Sequence, residues 1–471
     1  MLFNSSVFAI FLILVFCLYW FILKNIKQQN ILLLLASLFF YGWWDWRFLS
    51  LICFSSLLDF AIGLALNNTQ THSKRKLLLI ISICLNIGLL FTFKYYNFFV
   101  ESFLFLFHSF GVDLNVQTVS IILPLGISFY TFQTLSYTID VYKRAFEPTK
   151  DIVAFMAFIS FFPQLVAGPI ERASNLLPQF FAKRIFNIQF AFEGLKIMLW
   201  GFFKKIVIAD GISVIIDPIF ESPELYEGGT LAIAGLLFAV QIYADFSGYS
   251  EIAIGTARLF GFRLMTNFKY PYFSSSIIEF WKRWHISLTS WFKDYIYIPL
   301  GGNRLGFSKQ IINTFIVFCV SGIWHGANTT FVLWGIAHAF FFIIALLIQK
   351  YNKTLFQSLS VIRISKILYT NCIVVLLWFL FRAESMQDVS VIFAKIFSSN
   401  ITHHSLVIPT YVYIVIVVLF FVEWLGRSRD FAILAIGNIP VRSIRWAVYY
   451  VLIFTILYYF KTPLNYIYFQ F

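Results

Sequence analysis

The deciding stretch is FWKRWHISLTSWFKDYIYIPLGGNR, residues 280–304, followed by SGIWHGAN, residues 321–328. Two Trp-His pairs, Trp284-His285 and Trp324-His325, sit there in a chain that otherwise reads as lipid-soluble. An ionisable side chain inside an apolar segment is costly, so each is a functional-site candidate. Histidine matters most, because its ordinary pKa of about 6.5 lets it exchange protons at neutral pH.

Working outward, the 471 residues are 60% hydrophobic and only 12% charged, with a mean hydropathy of +0.81. A soluble globular protein is about 25% charged. The composition therefore predicts an all-α polytopic membrane protein. Apolar runs fall at 7–23, 31–43, 48–66, 77–93, 121–137, 152–166, 190–203, 231–243, 311–324, 331–348, 367–381, 408–425 and 446–460. A span needs roughly 20 residues, so about 10–13 spans are expected, the shorter runs being tilted, re-entrant or interfacial.

The net charge of +13 has an ordinary source. Lys74, Arg75 and Lys76, Lys143 and Arg144, and Lys183 and Arg184 flank apolar runs, where basic residues fix orientation. No basic stripe on a soluble fold points to nucleic acid. The five cysteines, Cys17, Cys53, Cys84, Cys319 and Cys372, lie in apolar runs without a CxxC pair. They read as buried small hydrophobes, not as a disulfide or zinc framework. Run 7–23 lacks a basic n-region and a small-residue cleavage site, so it reads as a retained first helix.

No linker or low-complexity tract divides the chain, so a single membrane domain over 1–471 is expected, with its motif core at about 121–385. Three stretches interrupt the apolar rhythm: 161–179, with Glu171-Arg172; 245–304; and the polar surroundings of 400–404. In the second, Asp245 and Glu251 directly follow an apolar run and need partners if buried. Arg258 lies two helical turns beyond Glu251, along the same face. A buried ion pair and a substrate contact both fit. Next, Trp281, Trp284, Leu288, Trp291, Tyr295 and Ile298 recur at helical spacing, which predicts one amphipathic helix lying in the membrane interface. His285 flanks its apolar stripe. Pro299, Gly301 and Gly302 end it, and Asn303-Arg304 close the turn.

His325 lies between two apolar runs and between Gly322 and Gly326. Glycines let a helix open and a substrate approach, and non-helical backbone at membrane depth must line a cavity or be buried. Proton transfer and a hydrogen-bonded structural histidine remain equally open on these residues alone. There is no GxSxG elbow, phosphate loop or HExxH, and the adjacent pair His403-His404 in a loop is a weak metal candidate. What remains is a histidine base that deprotonates a hydroxyl as it attacks an activated acyl group such as a thioester.

Residues 271–304, SGIWHGAN, DFSGYSEIAIGTARLFGF (245–262), AGPIER (167–172) with LLPQ (176–179), and LFRAES (380–385) resemble the membrane-bound O-acyltransferase (MBOAT) family. The likeness is strongest to its bacterial alginate O-acetylation (AlgI-like) branch. It implies a multi-helix bundle with a central tunnel and interfacial or re-entrant helices. It also implies His325 as the catalytic histidine of the WHGA motif and His285 as the second histidine. Trp324, Trp284, Asp245, Tyr249, Asn303 and Arg304 are the candidates for lining the tunnel. The spacing of His338 from His325 would point it to the opposite side of one continuous helix, which favours a structural role.

The resemblance further implies acetyl-CoA or another acyl thioester as co-substrate, with no bound cofactor and no metal. It implies an extracytoplasmic polysaccharide hydroxyl as acceptor and a separate periplasmic or cell-surface transferase as partner. The setting would be a bacterial cytoplasmic (inner) membrane. D-alanyl transfer to teichoic acid and peptidoglycan O-acetylation are rivals within the family. A transporter or flippase is the rival outside it.

Overall fold

The computed structural model describes residues 1–114, 122–166, 168–351, 360–398 and 406–460. The loop at 400–404, the His403-His404 pair and the start of the run at 121 lie outside the described residues. Among the described residues there are helices and no strands. Six helices are long and apolar enough to cross a membrane: Trp46–Asn68, His72–Ser109, Gly228–Leu259, Phe307–His325, Thr329–Tyr351 and Arg363–Arg382. Ser6–Ile22, Ile152–Leu165 and Thr410–Gly426 are shorter apolar helices, whereas the short runs at 231–243 and 311–324 lie within helices long enough to span. The chain is an all-α polytopic membrane protein.

Packing groups the residues into two compact units, Met1–Gly194 with Ala253–Met265, and Leu195–Ile252 with Thr266–Phe471. In the first, helices start where a short polar residue precedes an apolar run. Ser5 accepts from the Phe8 N–H, Asn25 from Lys27 and Asp151 from Ala154, which satisfies donors a helix start leaves open. Its helices are joined by polar side chains that lipid could not satisfy. Ser82 Oγ donates to Asp59 Oδ1 at 2.5 Å and Asn86 Nδ2 to Asp59 Oδ2 at 2.8 Å, all three residues being buried. Arg75, expected only to flank a span, is buried. It donates to the carbonyls of Leu66, Val141 and Tyr142, capping the C-terminal ends of Leu49–Asn68 and Ile127–Tyr142.

In the second unit the run at 231–243 does not end its helix where the sequence turns polar. Helix Gly228–Leu259 continues because its acidic groups find cations. Lys205 Nζ lies 2.7 Å from both Asp245 and Asp210, and Lys204 Nζ lies 2.7 Å from Glu251 and 3.8 Å from Glu423. Both lysines are buried in the π-helical segment Phe203–Ala209. This corrects the expectation that Arg258 serves Glu251: Arg258 pairs with Glu193 at 2.9 Å instead. Helical spacing reports which residues share a face, but not which neighbouring helix arrives first.

The cysteine reading also needs correction. Cys17, Cys84 and Cys372 are exposed and Cys53 and Cys319 half-buried. On a helix that faces lipid, an apolar position need not be an interior one.

Helices Phe307–His325 and Thr329–Tyr351 form a tight hairpin whose contact is made of glycine. A Cβ on Gly322 would run into the Phe331 carbonyl and come within 3.3 Å of the Gly335 Cα. A Cβ on Gly335 would run into the Phe318 carbonyl. Such small-residue contacts are how membrane helices gain close packing. Gly335→Ala should therefore cost about 1–3 kcal/mol by overpacking. Thermal unfolding in detergent checks this, with Gly88→Ala as control, because a Cβ there meets nothing within 4 Å. Equal melting temperatures for the two variants would show that the hairpin tolerates separation.

Candidate active site

His325 is the last residue of helix Phe307–His325, and the next helix begins at Thr329. The break expected at SGIWHGAN is therefore real, but Gly322 does not open it, since that glycine lies inside the helix at the hairpin contact. Gly326 is extended, and its missing Cβ leaves room for the Phe331 ring. The buried His325 imidazole is walled by aromatic rings: Trp324 at 4.9 Å, Trp334 at 5.0 Å and Phe381 at 5.2 Å between centroids. A helix C-terminus carries partial negative charge and favours a cation beside it.

The amphipathic helix expected over 281–298 is not continuous. Helix Ile277–Arg283 stops, His285 adopts φ 44°, and helix Ile286–Phe292 starts anew before a π-helical turn, Lys293–Tyr297. Left-handed backbone at a non-glycine residue costs about 1–3 kcal/mol and persists only where its surroundings enforce it. Nor do the tryptophans of this stretch face lipid. Trp281, Trp284 and Trp291 are buried, and Trp284 packs against Phe280, Phe268 and Trp378 at 5.0–5.5 Å. Spacing alone cannot tell an apolar stripe covered by protein from one covered by lipid.

The turn delivers His285 into the interior, 4.6 Å from Phe246 and 6.1 Å from Trp324. The imidazole is buried among aromatic rings, a setting that favours its neutral form. Both imidazoles meet the same Trp324 indole, His285 at 6.1 Å and His325 at 4.9 Å between centroids. Their separation cannot exceed the sum of those two distances, so the structure brings the two histidines into one neighbourhood.

The other candidates divide. Trp324 touches both imidazoles, and Trp284 is in the aromatic wall beside His285. Asp245 and Tyr249 belong to the Lys205 cluster, Lys205 Nζ standing 5.3 Å from the Tyr249 ring centre. Asn303 and Arg304 are exposed in the turn that precedes Phe307 and are not brought to either histidine. His338 is a correction. It rests against Trp334 at 4.7 Å, the ring that also touches His325, and Trp281 Nε1 donates to its Nδ1 at 3.3 Å. The opposite-face argument assumed an unbroken helix, and the chain reverses between residues 325 and 329. Sequence reading missed Trp334 and Phe381 as walls of the site, although Phe381 lies in the quoted LFRAES motif. Among the described residues no group of three or more His, Cys, Asp or Glu could hold a metal.

The architecture is that of a polytopic helical membrane protein with three imidazoles, His285, His325 and His338, buried among aromatic rings. The profile of MBOAT, the membrane-bound O-acyltransferase family, matches residues 38–387, and the chain belongs to this family. It is an O-acyltransferase, so the transporter reading gives way. The chain is 38% identical over 407 residues to a probable alginate O-acetylase AlgI of Pseudomonas putida, covering 84% of this chain and 80% of that protein. It is 35% identical over 423 residues to a peptidoglycan O-acetyltransferase of Helicobacter pylori, covering 82% and 78%. It is 27% identical over 316 residues to a teichoic acid D-alanyltransferase of Streptococcus thermophilus, covering 62% and 75%.

Proposed function

We propose that this enzyme moves an acetyl group from a cytosolic thioester, acetyl-CoA in the simplest case, to a hydroxyl beyond the membrane. The acceptor is a cell-envelope polysaccharide or a periplasmic transferase that modifies one, and the membrane is the bacterial inner membrane. The observation that carries the reading is His325 at a helix break, buried in an aromatic wall, with His285 against the same Trp324 ring. The names of the relatives support acetyl over D-alanyl, since the chain is 38% identical to the acetylase and 27% to the D-alanyltransferase.

The chemistry needs one base and no protein nucleophile. His325 takes the proton of the attacking hydroxyl as its oxygen bonds to the thioester carbonyl carbon. The carbon–sulfur bond then breaks, and the thiolate leaves with the proton returned to sulfur. The surrounding rings exclude the water that would hydrolyse the donor. His285 sits to orient or polarise a reacting group.

Purified enzyme in proteoliposomes, with labelled acetyl-CoA on one side and alginate or peptidoglycan fragments on the other, tests the proposal. Transfer only from a D-alanyl carrier thioester would overturn the acetyl reading. Acetylation of peptidoglycan fragments, with alginate untouched, would move the acceptor to the chemistry named for the Helicobacter pylori relative. In the same assay His285→Ala should lower turnover by about 10²-fold, within the range for a proton-transfer or positioning group. Full activity would make His285 structural.

A further inference from the structure

His285 is held by Asn267 from two directions. The Ile286 N–H donates to the Asn267 backbone carbonyl at 2.8 Å, which fixes the chain just past the left-handed residue. Asn267 Oδ1 lies 3.2 Å from His285 Nδ1 and accepts from Ser287 Oγ at 2.9 Å. It also faces the Ser287 N–H at 3.4 Å, and Asn267 Nδ2 donates to Ser250 Oγ at 3.1 Å. Asn267, Ser250, Ser287 and His285 are all buried.

These contacts determine where the protons are. A backbone N–H can only donate, so the amide atom facing Ser287 N is the oxygen. The amide NH₂ then points at Ser250, as the 3.1 Å contact requires. An amide oxygen can only accept, so the nitrogen of His285 that faces it must carry a hydrogen. A neutral imidazole has one N–H and one lone pair, so the lone pair lies on Nε2.

We propose that Asn267 is a positioning residue for acyl transfer: it fixes His285 as the Nδ1–H tautomer and so presents Nε2 as the nitrogen that accepts a proton or hydrogen bond during the reaction. This rests on the two-imidazole reading above. Ser250 and Ser287 are the outer supports, since they hold the Asn267 amide in the one orientation that makes this choice. The left-handed strain at His285 is maintained by the same residue, through its backbone carbonyl.

Three variants test this: Asn267→Ala, Asn267→Asp and His285→Gln. The readouts are kcat and KM for the thioester donor, the pH profile, and imidazole 15N signals of histidine-labelled protein. His285→Gln assigns the His285 signal by difference. The parent should show Nδ1 protonated and Nε2 unprotonated at His285. Asn267→Ala should lower kcat about 10–100-fold, the scale on which outer hydrogen-bond partners of metal-bound histidines act, with KM within about twofold. Asn267→Asp keeps an acceptor but adds negative charge, which favours the imidazolium. Its activity should survive at high pH, with the acidic limb displaced to higher pH than in the parent.

A merely structural Asn267 would reduce yield and melting temperature without moving the pH profile. Normal kcat in both Asn267 variants beside an inactive His285→Gln overturns the proposal alone. So does a parent spectrum with Nε2 protonated. A fully active His285→Gln overturns the two-imidazole reading, and the proposal falls with it.

Discussion

His325→Ala is expected to abolish acyl transfer, by about 10³-fold or more, while the purified protein keeps its elution profile and melting temperature. A well-placed general base contributes about 10²–10⁴-fold, and no second imidazole stands where His325 does. His285 shares Trp324 with it but packs against Phe246 and Phe268, and its Nδ1 is engaged by Asn267. His338 shares Trp334 with it but uses Nδ1 to accept from Trp281. The wall that encloses His325 is made of Trp324, Trp334 and Phe381, which alanine leaves in place, so the cost to folding should be small. His325→Gln separates the two roles further: it keeps a polar group in the wall but supplies no base near neutral pH. Retained turnover in either variant, measured with labelled thioester and acceptor, removes His325 from the mechanism. Loss of folded protein in both would make His325 a structural residue.

Fold class and the two histidines were legible in the sequence for a simple reason. Hydropathy over the length of a span records what lipid requires, and a charged or titratable side chain stands out against it. The WHISL and WHGA segments stood out twice, as polar interruptions and as motifs. What was not legible depends on contacts between distant segments. Nothing near Glu251 in the sequence announces Lys204, on an earlier helix, so Arg258 at helical spacing was the natural partner to infer. Periodicity over 281–298 is equally good for one helix or for two with a left-handed residue between them, because a single turn at His285 leaves the spacing untouched. The place of His338 was missed for the converse reason, since the reversal after His325 voids the angle counted along a continuous helix. Asn267 gave no signal at all. It is one amide in TNFKYPY, and its role emerges only when His285, Ser287 and Ser250 surround it.

Lys205→Met is expected to be strongly destabilising, more so than Gly335→Ala in the hairpin. Lys205 is buried and stands 2.7 Å from two carboxylates, Asp210 and Asp245. Removing the cation leaves the buried Asp245 carboxylate and the mostly buried Asp210 carboxylate without the lysine they share, and breaking a buried pair in this way costs about 3–5 kcal/mol. In a chain of this size that is a drop in melting temperature of about 3–5 °C. The partly exposed Arg258–Glu193 pair, at 2.9 Å, gives the contrast: Arg258→Met should cost no more than about 1 kcal/mol. The triple variant Lys205→Met, Asp210→Asn, Asp245→Asn should recover most of the loss, because the penalty comes from the stranded charges and not from the missing bond. Thermal unfolding and the folded fraction after mild heating, compared across the three proteins, give the result. A Lys205→Met enzyme that melts with the parent but transfers acyl groups slowly would instead return Asp245 and Tyr249 to the substrate path, since stability would then be independent of the cluster and catalysis would not.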